Sequence, residues 1–309
     1  MDTASNPAVR PVTAQIDAFY AGSRIARWMG RGMRAANQLS PALALRLGMR
    51  LFFTPLPSKL AARAKPVPAA WRPERLPFEG GTMVLWRHAP AATANAYVDR
   101  PAERPRVLLV HGWAGDAMQL RALGDALAAD GFDPLLLDFP AHGRSDGWRS
   151  TLPQFVRALF AVQARVGRLH GLVAHSLGAL AAAHAVGRGL AAERLVLIAP
   201  PIPPAAFMHG FMHSFGLGSG QARRMKELVQ QREGVPLEQF EPAWLGQHVH
   251  QPTLLLHDRD DRIAPLAAAQ SLLQALPRAR LQQTEALGHR RILGDGAVAA
   301  AVVSHLRAR

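Results

Sequence analysis

The stretch GLVAHSLGALAAAHAVG, residues 171–187, joins a short apolar run to an alanine-rich segment through a single serine, Ser176. The run has the length of a strand buried on both faces, and the segment after Ser176 is typical of a helix. Ala174 and Gly178, two positions before and after the serine, are small enough for strand and helix to meet in a sharp turn. This turn predicts a serine hydroxyl at a helix N-terminus, where backbone amides favour a developing anion.

Similar apolar runs recur along the chain and alternate with helical patterns, which predicts an α/β protein with a mostly parallel sheet flanked by helices. The segment RLPFEGGTMVLWRHA, residues 75–89, predicts early strands at an antiparallel edge of the sheet. In such sheets the functional site lies at the carboxyl ends of the strands. The other runs are RVLLV (106–110), DPLLLDF (133–139), RLVLIA (194–199) and PTLLLH (252–257).

The length of 309 residues, with 49% hydrophobic and 19% charged residues, indicates one main domain with an appendage. The chain has no apolar stretch of the roughly 18 residues that a spanning helix needs, so we expect a cytoplasmic protein. With 0 cysteines, disulfides, thiolate nucleophiles and cysteine-ligated metals are excluded. No glycine-rich phosphate loop follows a strand, and we expect no nucleic-acid partner.

Much of the net charge of +14 lies in residues 1–75, where 12 Lys and Arg face 3 Asp and Glu. We predict here a basic amphipathic helical arm, followed by the main domain at residues 76–309. A second arm helix is expected to begin with Ser40 as N-cap and Pro41 at its first position. The arm either docks on an anionic membrane surface or packs on the main domain. In its first helix, Arg24, Arg27, Arg31 and Arg34 oppose Ile25, Met29, Met33 and Ala36.

Five motifs occur in an order that resembles the α/β-hydrolase fold superfamily, over residues 76–309. They are HGWAG (111–115), DFPAHGRSDG (138–147), AHSLG (174–178), HDRDDRIAP (257–265) and LGHRR (287–291). Two positions depart from the usual pattern, because Ala174 and Asp258 stand where glycine is common. An aspartate can adopt the left-handed conformation at modest cost.

The resemblance implies a triad in the chain order serine, acid, histidine. Serine is a weak nucleophile until a base takes its proton, and a third group must hold that base. Ser176 is then the nucleophile and His289, which follows the strand-like ARLQQT, the base. His305 falls in a helical tail and is expected at the surface. Counting along the family's pattern from His257 assigns the acid to Asp261.

The other two aspartates of the HDRDDRIAP motif receive simpler interpretations. Asp258 occupies the turn's glycine position, and Asp260 is expected to face solvent beside Arg259 or Arg262. The usual alternative location of the acid, after the preceding strand, reads APPIPPAA (199–206) and contains no carboxylate. The resemblance also implies an oxyanion hole formed by the backbone amides of Trp113 and Leu177.

About fifty residues between Ala199 and Pro252 contain no strand-like run, which predicts a helical cap at about 200–251. Its Phe- and Met-rich part either lines the substrate pocket or forms the core of the cap. His175, next to the nucleophile, is a further pocket candidate, although the turn points it away and favours an orienting or packing role. The candidates in the cap are Phe207, Met208, Phe211 and Met212.

A serine rather than an aspartate at the turn argues against the haloalkane dehalogenase and epoxide hydrolase branches of the superfamily. The favoured function is hydrolysis of a small-molecule carboxylic ester through an acyl-enzyme intermediate, without a cofactor. Acyl transfer, thioester hydrolysis and a non-catalytic docking role remain as alternatives. We expect no metal site, because the pairs His209/His213 and His248/His250 lack acidic or cysteine partners nearby in a known ligand pattern.

Overall fold

The computed structural model describes residues 24–55, 58–89 and 104–308. The side chains of Arg24, Ile25 and Arg27, which belong to the predicted amphipathic helix, lie outside this description. Among the described helices, none combines the length and the apolar composition that crossing a membrane would require.

The sheet runs in the order β1-β2-β4-β3-β5-β6-β7-β8. β2 is antiparallel to both of its neighbours, and all the pairs from β4 to β8 are parallel. This confirms the predicted, mostly parallel sheet with an antiparallel edge. The strands are β1 (Trp71–Phe78), β2 (Gly81–His88), β3 (Arg106–Val110), β4 (Asp133–Asp138), β5 (Leu169–His175), β6 (Ala192–Ile198), β7 (Thr253–Asp258) and β8 (Ala279–Thr284).

Within residues 24–55 and 58–64, three helices precede the sheet: α1 (Arg24–Leu39), α2 (Pro41–Phe52) and α3 (Ser58–Ala64). Crossover helices connect the parallel strands. The insertion between β6 and β7 is made of helices and their connecting loops. The crossover and C-terminal helices are α4 (Arg121–Ala129), α5 (Leu152–Val166), α6 (Leu177–Gly187), α10 (Leu266–Ala275), α11 (Gly288–Arg291) and α12 (Gly296–Arg307). The insertion contains α7 (Pro204–Ser214), α8 (Ser219–Glu233) and α9 (Pro242–His248).

The central strands are buried on both faces, which explains their nearly unbroken apolar sequences. In β3, Leu108 and Val110 join the core on one side of the sheet, whereas Val107 and Leu109 join the core on the other. The first of these cores extends into the N-terminal helices and the insertion. His305 of α12 was expected at the surface, but it is buried and its Nε2 lies 3.2 Å from the carbonyl oxygen of Pro252.

The N-terminal helices pack on the rest of the molecule through their apolar side. Met33, Ala44 and Leu45 are buried, and a Cβ atom on Gly48 would lie 3.4 Å from Leu217 of the insertion. Ser40 caps α2, because its hydroxyl accepts a hydrogen bond from the amide of Leu43 at 3.3 Å. The boundary predicted between residues 75 and 76 falls inside β1, so the sheet begins at Trp71.

Candidate active site

Ser176 occupies the turn between β5 and α6 with the strained backbone angles φ 53° and ψ −126°. Two glycines let neighbouring backbone approach this turn. A Cβ atom on Gly178 would lie 2.4 Å from the carbonyl oxygen of His111, and one on Gly112 would lie 2.6 Å from Cβ of Ser176. The turn after β3 and the turn after β5 therefore interlock at distances that no larger side chain tolerates.

His289 connects Ser176 to Asp261 through its two ring nitrogens. Its Nε2 lies 3.0 Å from Oγ of Ser176, and its Nδ1 lies 2.7 Å from Oδ2 of Asp261. A carboxylate only accepts hydrogen bonds, so Nδ1 carries the proton and Nε2 is free to accept the proton of the serine hydroxyl. The structure thus brings together the three residues that the sequence nominated as nucleophile, base and acid.

The Asp261 carboxylate is held on both sides. Its Oδ1 accepts hydrogen bonds from the amides of Ile263 and Ala264 at 2.8 and 2.9 Å, which leaves Oδ2 for His289. Buried His257 lies close by, with Nε2 3.8 Å from Oδ2, but this nitrogen donates to the carbonyl oxygen of Ala264. Burial lowers the pKa of His257 below its ordinary value, so the ring stays neutral and leaves the Asp261 carboxylate as the charge partner of His289.

Asp258 differs from its expected role, because it ends β7 as an extended residue and does not form a left-handed turn. Its buried carboxylate accepts hydrogen bonds from the Thr284 hydroxyl at 2.7 Å, from the Leu287 amide at 3.0 Å and from the Asp260 amide at 3.0 Å. Burial alone would raise the pKa of Asp258, but these hydrogen bonds outweigh it and lower the pKa. Asp258 therefore fastens the loop that carries His289.

Asp260 also contacts the His289 loop, in addition to facing solvent. Its Oδ2 accepts a hydrogen bond from the amide of Ala286 at 2.9 Å. Ala286 has a positive φ of 60°, an uncommon conformation for a residue with a side chain. The two aspartates interpreted from the sequence as turn residues both stabilise the segment before His289.

His175 does not line the cavity beside Ser176, in contrast to the expectation that it contributes to the pocket. Its ring packs against the ring of His289 with centroids 4.6 Å apart, and its Nε2 donates to the carbonyl oxygen of His289 at 2.9 Å. Burial is the main cause that lowers the pKa of His175 well below its ordinary value, and the charge of His289 lowers this pKa further. A neutral His175 supports His289 from behind, in agreement with the orienting role.

The loop that contains Trp113 is fixed by two histidines. His142 accepts a hydrogen bond from the amide of Ala114 at 3.1 Å, and His111 accepts one from the amide of Phe139 at 3.1 Å. Burial, together with the nearby charge of His111, lowers the pKa of His142 well below its ordinary value, which preserves it as an acceptor. Within residues 24–55, 58–89 and 104–308, the amides of Trp113 and Leu177 donate to no protein acceptor.

An apolar cavity opens directly beside Ser176. Among the described residues of its wall, polar side-chain atoms belong to Ser176, Thr151 and the indole of Trp113, and the Thr151 hydroxyl already caps α5. The cavity is narrow, because the centre of a water molecule can move within only about 80 Å³ of it. Its wall consists of Phe52, Phe53, Trp113, Thr151, Leu152, Pro153, Ser176, Leu177, Pro201, Ile202, Pro204, Phe207, Met208, Val229, Leu237 and Ile263.

Two of the four pocket candidates in the insertion, Phe207 and Met208, line this cavity. Phe211 and Met212 do not, because they face the N-terminal helices. The ring of Phe211 lies 4.9 Å from that of Phe52, and the Met212 sulfur lies 3.5 Å from the position of a Cβ atom on Gly48. Phe211 and Met212 therefore belong to the core between the insertion and the arm.

The sequence interpretation missed Phe52 and Phe53, which the arm contributes to the cavity wall. The only signal for them was their position at the end of an apolar helix, directly before the TPLP segment. Concerning metals, the described residues contain no group of three or more His, Cys, Asp or Glu side chains that could hold an ion. In that part of the chain, the hydrogen bond of the His248 side chain is one that its Nδ1 donates to the carbonyl oxygen of Trp244 at 2.8 Å.

Comparison with known proteins agrees with this architecture. A family model described as the alpha/beta hydrolase fold matches residues 105–250. No curated protein sequence matches the chain significantly. An esterase from Pyrococcus furiosus aligns with a TM-score of 0.56 and 17% identity, covering 77% of this chain and 91% of its own.

Two further solved structures are similar at the same level. The 2-hydroxy-6-oxo-6-phenylhexa-2,4-dienoate hydrolase of a Rhodococcus species aligns with a TM-score of 0.56 and 20% identity, covering 77% of this chain and 99% of its own. A membrane phospholipase A described as a bacterial virulence factor has a TM-score of 0.56 and 18% identity, with 88% of this chain and 94% of its own covered. The chain thus has the α/β-hydrolase fold.

Proposed function

We propose that the protein is a serine hydrolase that cleaves carboxylic esters with an apolar acyl chain. The observation that carries the proposal is the hydrogen-bonded series Asp261–His289–Ser176 at the wall of an apolar cavity. A serine aligned with a neutral imidazole, which is itself held by a buried carboxylate, is the arrangement that acyl-transfer chemistry requires.

In the proposed mechanism, Oγ of Ser176 attacks the ester carbonyl carbon while Nε2 of His289 takes the hydroxyl proton. Asp261 stabilises the imidazolium that forms, and the amides of Trp113 and Leu177 donate to the carbonyl oxygen as it becomes an anion. Collapse of this intermediate breaks the bond to the alkoxy oxygen, which receives the proton from His289. Water then attacks the acyl-enzyme with His289 again as base, and releases the carboxylic acid and the free serine.

The cavity supports the apolar character of the substrate. Beside the nucleophile, its wall is built from Phe, Met, Leu, Ile, Val and Pro side chains, which bind hydrocarbon and offer little to a polar or charged group. An acyl chain in this cavity would place its carbonyl carbon at Ser176. The similar solved structures include proteins described as an esterase and a membrane phospholipase A, which supports carboxylic esters as the substrate class.

The test uses a fluorophosphonate probe, which labels only an activated serine, on wild type and on Ser176→Ala. We expect labelling of the wild type alone. Hydrolysis of nitrophenyl esters graded by acyl length should then show activity that disappears in Ser176→Ala and depends on chain length. A folded wild type that is neither labelled nor active on any of these esters would contradict the proposal and favour a binding role.

A further inference from the structure

One side of α2 is exposed and combines leucines with arginines. Leu43 and Leu47, spaced four residues apart, keep 46% and 40% of their surface accessible, and Arg50 continues the same helical stripe. Arg46 is exposed beside them. The buried residues of α2, Ala44, Leu45 and Gly48, occupy the opposite side. The helix is therefore apolar on both sides, although only one of them packs on the protein.

A groove extends from this stripe to the loop before α5, where Arg149 is exposed. We call Leu43, Arg46, Leu47, Arg50 and Arg149 the arm face. The groove contains five arginines and two glutamates, Glu79 and Glu233, and both glutamates are already paired with Arg157. Arg46, Arg50 and Arg149 have no ion-pair partner in the part of the chain that the structure describes, which leaves the arm face positively charged.

The arm face adjoins the cavity beside Ser176. Phe53 and Thr151 belong to the walls of both the groove and the cavity, so the two spaces adjoin at these residues. Trp148, next to Arg149, is 52% exposed. Exposed tryptophan, leucine and arginine side chains beside an apolar cavity match the interface of a lipid bilayer, where apolar groups enter the acyl region and arginines stay at the headgroups.

We propose that the arm face docks the protein on a lipid surface bearing anionic headgroups, with the cavity entrance turned toward the lipids. Charge complementarity carries this choice of partner, because unpaired arginines interspersed with exposed leucines favour an anionic surface over a neutral one. That the cavity entrance faces the lipids rests on the proposed function, because an entrance in this position would let an ester from the bilayer reach Ser176. The docking itself depends only on the arm face.

The test is co-sedimentation of the full-length protein with vesicles of phosphatidylcholine alone or of phosphatidylcholine mixed with phosphatidylglycerol. We expect wild type to sediment with the mixed vesicles and to be released by salt, because ions screen the attraction. Arg46→Gln/Arg50→Gln should weaken vesicle binding about 25-fold, at about fivefold for each arginine near an anionic surface. Leu43→Ser/Leu47→Ser should also lose binding, through the apolar contribution.

The matched control is Arg188→Gln/Arg278→Gln, which removes two exposed arginines at the opposite end of the sheet and should leave vesicle binding unchanged. Turnover of a water-soluble nitrophenyl ester should be the same in all these variants and separates the two proposals. If wild type hydrolyses the ester but binds no vesicles, docking fails and the hydrolase proposal survives; if it binds vesicles without turnover, the reverse holds.

Two outcomes would overturn the docking proposal directly. Equal binding of wild type and Arg46→Gln/Arg50→Gln to mixed vesicles would show that the arm face is not the contact. Dimerisation in analytical ultracentrifugation that Leu43→Ser/Leu47→Ser abolishes, without vesicle binding by wild type, would assign the face to a second copy of the chain.

Discussion

The carboxylate of Asp258 accepts a hydrogen bond from the amide of Leu287, two residues before His289, at 3.0 Å. Together with the hydrogen bond that the Ala286 amide donates to Asp260, it joins the end of β7 to the loop that carries His289. All three aspartates of the HDRDDRIAP motif thus support the same histidine, Asp261 through its ring and the other two through the backbone of the residues before it.

We predict that Asp258→Asn lowers kcat by more than it changes KM. In wild type the carboxylate accepts hydrogen bonds from Thr284, Leu287 and Asp260, whereas the NH₂ group of asparagine would direct hydrogens at some of these donors. Replacing one partner of a buried hydrogen bond costs about 1 to 3 kcal/mol of stability. Ester turnover and urea unfolding measure the two effects. Thr284→Ser keeps the hydroxyl that bonds Asp258 and serves as control. Unchanged kcat in a folded Asp258→Asn would show that the loop holds His289 without it.

Asp261→Asn is expected to lower turnover by about 10⁴-fold, since the imidazolium loses its counter-charge and the ring its tautomer. Asp260→Asn should cost little, because an amide oxygen can still accept from Ala286. Asp260→Ala removes that acceptor, and its turnover should lie between those of Asp260→Asn and Asp261→Asn. Initial rates on one nitrophenyl ester rank the three variants, and equal losses in Asp260→Asn and Asp261→Asn would refute the assignment of the acid.

Gly112→Ala tests the interlocked turns. The new Cβ atom would lie 2.6 Å from Cβ of Ser176 and 3.1 Å from its Oγ, so the serine or the Trp113 amide must move. Loss of one oxyanion donor costs on the order of 10²-fold in kcat, and we expect a drop of that size. Gly220→Ala is the control, because a Cβ atom there meets nothing within 4 Å. Wild-type kcat in Gly112→Ala would contradict the proposed oxyanion hole.

Buried histidines should make the protein sensitive to mild acid. Burial lowers the pKa of His305 below 6.5, and it lowers those of His142 and His175 well below it. The unfolded chain therefore binds protons that the folded chain does not, and stability falls as pH drops below about 6.5 and stays level above it. Urea unfolding at several pH values measures the slope.

The variant for this prediction is His305→Gln, which removes one such histidine far from Ser176. Each group contributes up to about 1.4 kcal/mol per pH unit between its folded pKa and 6.5. The variant should therefore show a shallower slope just below pH 6.5. A free energy of unfolding that does not change between neutral and mildly acidic pH would contradict the neutral state of these rings.

Val229→Phe tests the cavity. Val229 of α8 lines the narrow space beside Ser176, and a ring in its place fills part of that space. We expect hydrolysis of long-chain nitrophenyl esters to fall while that of the acetyl ester is retained, because only the longer chains need the occupied volume. Val229→Ile, which changes little volume, is the control. An unchanged chain-length profile in Val229→Phe would place the acyl chain elsewhere.

Much of the fold could be predicted because its signals are local. The apolar runs and the small residues around Ser176 encode the strands and the turn within a few positions. Phe211 and Met212 were harder, because α7 carries apolar side chains on both of its faces and the sequence does not reveal which face meets the arm. Phe52 and Phe53 were missed for the same reason, since the partner of a helix face is set by tertiary packing.

The roles of Asp258 and Asp260 depend on contacts with residues 26 to 29 positions later in the chain. Nothing in the local pattern distinguishes an aspartate that accepts such distant amides from one that forms a turn. Asp261 could be identified because the family's motif fixes its spacing. The roles of Asp258 and Asp260, in contrast, follow from the packing of the end of β7 against the His289 loop.

Phe52 and Phe53 place part of the cavity wall on a segment that precedes the whole sheet in the chain. This part of the wall and the triad are thus encoded in separate segments of the chain. Recombination at a junction between Thr54 and Trp71 would exchange this part of the wall as a unit. Exchange of this segment could therefore change the range of substrates that the cavity accepts while the catalytic residues stay the same.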